Sequence, residues 1–77
     1  MTEKEKTVMQ VVNEIREANG LPAVDDIFGH DLDLRKDLEL VSIDLAVLTA
    51  RLEDLYEIDI FEDGIVQTVD EVVGRLG

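Results

Sequence analysis

Apolar residues recur with helical spacing in three stretches of this chain. Val8, Val11, Val12, Ile15 and Ala18 fall at i, i+3, i+4, i+7 and i+10, which is the repeat of one helical face. Thr2 and Glu5 stand ahead of them at capping-box spacing, and Asn19-Gly20 followed by Pro22 supplies a stop. A first helix is therefore predicted over roughly 2–19. A second is predicted from Ser42 to Tyr56 or Glu57. A third apolar face, Val69, Val72, Val73 and Leu76, predicts a last helix over roughly 69–76, with Thr68 and Glu71 as a second capping box. Between the latter two, the run from Asp59 to Gly64 has room for a short turn or a single-turn helix.

The stretch from Leu21 to Val41 has no sustained period. It carries Pro22, Gly29 and many aspartates, with scattered anchors at Val24, Ile27, Phe28, Leu32, Leu34, Leu38 and Leu40. The expectation is a long loop pinned to the core by those side chains, with one short turn near Asp25. Loops of this length in compact domains tend to be functional.

The second helix carries apolar residues on two sides. At ~100° per residue, Leu45, Leu48, Thr49, Leu52, Leu55 and Tyr56 share one side, the expected core face. Ile43, Ala46, Val47 and Ala50 lie opposite, followed there by Glu53, Asp54 and Glu57. An ordinary surface helix is polar on its outer side. Two readings stand: the long loop covers this strip, or the strip is a docking surface whose acidic end steers a basic partner.

Composition narrows the class. A 77-residue chain has room for one small core, which leaves little for a catalytic cleft with its own supporting shell. The absence of cysteine excludes disulfides and thiolate metal sites, and His30 is the only histidine. With 19 acidic against 7 basic residues the net charge is −12, which repels nucleic acid and anionic membranes and favours basic partners. No apolar run approaches a membrane span, and the N-terminus Met1-Thr2-Glu3-Lys4-Glu5 is too charged for a secretory signal. A cytoplasmic, monomeric protein is the expectation.

Ser42 is the only serine. A serine ahead of an apolar periodic run reads first as a helix N-cap. It also ends the long loop beside the apolar strip, at a helix N-terminus whose free N–H groups favour an attached phosphate. As a nucleophile it would need an adjacent base held by a third group. His30, with no lysine or second histidine nearby in sequence, reads instead as an exposed loop residue. Two calcium-loop look-alikes fail. The run from Asp59 has Phe61 and Asp70 at its third and twelfth places, and the run from Asp31 has Lys36 where glycine is needed. The remaining carboxylates read as a solvated face.

The run Asp37-Leu38-Glu39-Leu40-Val41-Ser42-Ile43-Asp44, with Leu48, Leu52-Glu53, Tyr56 and Ile60, resembles the acyl carrier protein family. The register holds without gaps from Asp37 to Ile60. Outside it the likeness is architectural. The resemblance implies an all-α fold of three main helices plus one short helix, with a long loop between the first two. It implies a non-catalytic carrier in which a phosphopantetheinyl transferase moves 4′-phosphopantetheine from coenzyme A onto Ser42. The arm's thiol would hold acyl groups as thioesters for fatty-acid, polyketide or related biosynthesis. Asp44, Glu53 and Asp54 match the family's acidic docking positions, and Ile43 and Ala46 its apolar ones, for acyl-loading and acyl-processing enzymes with basic patches. Ala50 and Val47 complete the expected partner-binding strip.

The chain also departs from the family pattern. Val41 replaces the usual aspartate before the serine, Ile43 the usual leucine after it, and Val47 an outer-face glutamate. These departures point to a specialised pathway, such as a polyketide or lipid-like product. An aminoacyl or peptidyl carrier, and an unmodified acidic helical adaptor, are the alternatives. A short or medium acyl chain is expected to slip between the second helix and the segment around Phe61.

Overall fold

The computed structural model describes residues 1–77 and is all-helical, with α1 at Glu3–Ala18, α2 at Ser42–Tyr56 and α3 at Val69–Arg75. Both sequence-predicted capping boxes form. Thr2 Oγ1 accepts from Glu5 N at 3.1 Å while Glu5 Oε1 accepts from Thr2 N at 2.8 Å. Thr68 Oγ1 and Glu71 Oε1 make the same reciprocal pair at the start of α3, at 3.1 and 3.3 Å. Each box satisfies N–H groups that a helix start otherwise leaves unpaired.

The apolar faces converge on one core. Val8, Val11, Val12 and Ile15 of α1 meet Leu48 and Leu52 of α2 and Val69, Val72 and Leu76 of the C-terminal turns. α1 packs against both α2 and α3, whereas α2 and α3 do not pack on one another. The space between those two helices is filled from the connecting segments, by Ile27, Leu34, Leu38, Leu40, Ile60 and Val66, all buried. The Cα radius of gyration is 11.2 Å, close to the ~11.5 Å expected for a compact domain of this length, so the long loop is folded in.

Side chains of α1 staple that loop. Asn13 pairs with the backbone of Val24 in both directions, Nδ2 to the carbonyl at 2.9 Å and Oδ1 from the amide at 2.8 Å. Arg16 is 4% exposed. Its Nε donates to the Pro22 carbonyl at 3.1 Å, its Nη1 to the Leu38 carbonyl, and Nη1 lies 3.7 Å from Glu39 Oε2. The loop's far end joins α3 through an isolated antiparallel bridge, Asp33 to Thr68. There Leu34 N donates to Gln67 O at 2.9 Å and Val69 N to Leu32 O at 3.0 Å.

Several expectations are corrected. The 59–64 segment forms turns and no fourth helix. Asp59 Oδ1 takes the Phe61 amide at 2.9 Å and its carbonyl the Glu62 amide at 3.1 Å, and Gly64, at φ 126°, closes the segment. The turns of the long loop fall at 28–31 and 34–37, not near Asp25. The carboxylates are mostly solvated, and some of them also order the loop: Asp70 of α3 takes the Gly29 and Asp31 amides (2.8 and 2.9 Å), and Asp37 takes that of Asp33 (2.7 Å). Ala18, expected on the core face, is exposed, while Arg16 two residues earlier is buried. Leu55 is 57% exposed although it lies only ~20° from buried Leu48 around the helix; it stands in the last turn of α2.

Replacing Arg16 with methionine leaves the Pro22 and Leu38 carbonyls without their donor. At ~1–3 kcal/mol per buried group left unsatisfied, the expected loss is on the order of 2–4 kcal/mol, read as a lower urea midpoint at unchanged slope. A loss under ~0.5 kcal/mol, the range of ordinary surface substitutions, would show that the guanidinium does not hold the loop.

Candidate functional site

Ser42 is the first residue of α2 and is exposed. It is not the cap. The N-cap position belongs to Val41, whose side chain accepts no hydrogen bond, and the capping is done by Asp44 from inside the helix. Asp44 Oδ2 accepts from the Val41 amide at 2.9 Å, and both carboxylate oxygens accept from Asn19 Nδ2 at 3.1 Å. One buried carboxylate thus closes the start of α2 and ties it to the end of α1. The serine hydroxyl, one place inside the helix, accepts no backbone amide. Burial also removes Asp44 from the expected docking surface, since the residue is only 7% exposed.

Arg35 is the side chain that reaches the hydroxyl, with Nη2 3.1 Å from Ser42 Oγ. A guanidinium stays protonated and cannot act as a base. His30 pairs instead with Asp26 at 3.5 Å in the exposed loop. The one side chain hydrogen-bonded to the hydroxyl is thus not a base. Arg35 is held by a carboxylate-centred turn in which Asp33 Oδ1 accepts from the Arg35 and Lys36 amides at 2.8 and 2.9 Å. Those amides, Lys36 first and Arg35 second, hold the Asp33 carboxyl below its ordinary pKa.

The outer strip of α2 is uncovered. Ile43 is 71% and Val47 41% exposed, with Ala46 and Ala50 exposed beside them. Val41, 57% exposed, extends the strip across Ser42. Glu53, Asp54 and Glu57 continue it as exposed acids. Together with Asp59 and Glu62 they border an open acidic depression. No three carboxylates or imidazoles converge to hold a metal ion.

A groove of about 310 Å³ runs beside Ser42 on the other side of α2, floored by Leu34, Leu45, Ile65 and Val66 and rimmed by Arg35 and Lys36. It lies against the 65–67 segment. Between α2 and the segment around Phe61, where an acyl chain was expected to enter, the surface is the acidic depression, and Phe61 packs half-buried against the core. Sequence reasoning missed Arg35, Arg16 and Asn19. Arg16 was within reach, because it stands i+4 from Val12 on the buried side. The contacts of Arg35 depend on loop geometry that no periodicity encodes.

Comparison with family models, with curated proteins and with solved structures returns no match. No helix is long and apolar enough to cross a membrane.

Two carboxyls are held below their ordinary pKa in exposed positions. Asp33 is one. Glu14 is the other, through the hydrogen bond from Arg51 (Nη2 to Oε2, 2.7 Å) and then Gln10. A depressed folded-state pKa contributes stability that is present above the unfolded value and is lost as pH falls through the folded one. Titration of side-chain carboxyl carbons by NMR should therefore place both midpoints below those of free carboxyls. The amide shifts of Arg35 and Lys36 should move with the Asp33 midpoint. Midpoints at ordinary values would contradict the described turn and ion pair.

Proposed function

We propose that this protein is a carrier that holds acyl intermediates as thioesters on a 4′-phosphopantetheine arm attached to Ser42. The observation that carries the reading is the combination at the start of α2: an exposed hydroxyl that accepts no backbone amide, next to an uncovered apolar strip that ends in acids. In the loading step a separate transferase deprotonates the hydroxyl. Oγ attacks the pantetheine-side phosphorus of coenzyme A's pyrophosphate, the new O–P bond replaces the anhydride bond, and adenosine 3′,5′-bisphosphate departs. The base and the metal for that step belong to the transferase. This chain contributes the positioned oxygen and the docking strip of Ile43, Ala46, Val47 and Ala50, with Glu53 and Asp54 steering partners that carry basic patches.

The same serine serves an aminoacyl or peptidyl carrier equally well, and only the cargo separates the two. A second reading, an unmodified adaptor, is favoured by Val41. That residue makes the surface around the hydroxyl more apolar than a transferase site with an aspartate there.

Incubation with coenzyme A and a broad-specificity phosphopantetheinyl transferase should add one arm by intact mass, and Ser42→Ala should abolish the gain. No gain with any transferase from the native source favours the adaptor. Glu53→Lys with Asp54→Lys should slow association with that transferase about tenfold at low salt, with the gap closing as ionic strength rises. Equal association rates at low salt would refute acid-steered docking.

A further inference from the structure

We infer that Arg35 is the phosphate-positioning residue of this protein: once Ser42 carries a phosphodiester, the Arg35 guanidinium pairs with its non-bridging oxygens and fixes the attached group against the 33–36 turn. The inference deepens the carrier reading of Ser42 and depends on it for the identity of the phosphate ester.

The argument starts from where the chain's cations go. Lys4 donates to the Leu76 carbonyl, Arg16 is buried in the loop, Arg51 pairs with Glu14, and Arg75 reaches the Ile60 carbonyl. Lys4, Lys6 and Arg75 make no ion pair, and neither does Arg35, although the chain has 19 acidic residues. Arg35 differs in being the one cation whose hydrogen bond goes to a side chain other than a carboxylate. Its hydrogen bond goes to a neutral hydroxyl, at 3.1 Å. Lys36, also without an ion pair, follows it on the groove rim. A cation with so many carboxylates available, yet directed at a lone serine, is placed for an anion on that oxygen.

The backbone keeps it there. Asp33 receives the Arg35 and Lys36 amides, Asp37 caps Asp33 in return, and Leu34 is buried beneath. A phosphodiester on Oγ puts its anionic oxygens two bonds beyond the atom Arg35 already contacts, within reach of a forked, charge-assisted pair. Because the pair is exposed, its effect is on the orientation of the ester far more than on stability.

The test uses two preparations. In the first, phosphoserine is incorporated at position 42, which requires no transferase, and its second ionisation, ordinarily near ~6, is followed by ³¹P NMR. The ionisation should lie about 0.3–0.7 pH unit lower in the parent than in Arg35→Gln, the size an exposed ion pair produces. Arg35→Lys should be intermediate, and the difference should shrink in high salt. In the second, protein loaded from coenzyme A should show an Arg35 Nε–Hε signal shifted from the unloaded protein, and a ³¹P resonance that moves and sharpens in Arg35→Gln.

Identical phosphoserine ionisation in parent and Arg35→Gln overturns the inference, whether or not the parent loads. A parent that cannot be loaded, but whose phosphoserine ionisation depends on Arg35, sinks the carrier reading and leaves Arg35 as the partner of a phosphate monoester. Near-unchanged far-UV circular dichroism in Arg35→Gln is the check that the variant remains folded.

Discussion

The Arg16 guanidinium lies between α1 and the 21–41 segment, where it donates to the Pro22 and Leu38 carbonyls and sits beside Glu39. These contacts reach the loop just after its start and again just before α2. The chain between them is shaped into a closed excursion whose anchors, Ile27, Leu34, Leu38 and Leu40, face the core. Buried charge is costly unless its donors are satisfied, so the loop cannot swing away without stranding the guanidinium. Everything at the start of α2 inherits this constraint. Glu39 is held at φ 59°, and Ser42 follows three residues later at a fixed place on the surface.

A second tie reinforces the first. Asn19, at the end of α1, binds both oxygens of Asp44, which closes the start of α2. The division of labour matters chemically. A serine that capped its own helix would have its oxygen committed to a backbone amide two or three residues on; Ser42, one place inside the helix, accepts none, and Asp44 ties down the Val41 amide from the other direction. The hydroxyl is left to Arg35 and to solvent. On one side of it lies the exposed strip of Ile43, Ala46, Val47 and Ala50. On the other is the groove between Leu45 of α2 and the 33–36 and 65–67 segments.

The helices and their caps were legible in the sequence because each depends on local pattern. The spacing of Val8, Val11, Val12 and Ile15 and the pairs Thr2–Glu5 and Thr68–Glu71 need only neighbours along the chain. The exposure of Ile43 and Val47 was half-legible: the two-sided pattern of α2 was visible, but whether the loop covered the outer side depended on tertiary packing. Long-range polar contacts were not legible. Asp44 read as a surface acid because its position on the wheel is marginal, and its partner Asn19 is 25 residues away. Likewise, Asp70 reached the 28–31 turn, and Arg35 the serine, only once the loop had folded. The 59–64 run reads in sequence as a short turn or a single-turn helix, and the structure takes the turn, with Asp59 accepting the Phe61 amide.

The claim at the centre of this account is that the hydroxyl at the start of α2 bears a covalent arm in the working protein. Fragment-ion mass spectrometry of the protein isolated from its native cells addresses it most directly. The account predicts a phosphopantetheinyl group localised to Ser42 in at least part of the population. Its contradiction would be Ser42 bare in every molecule, or the group found on another residue.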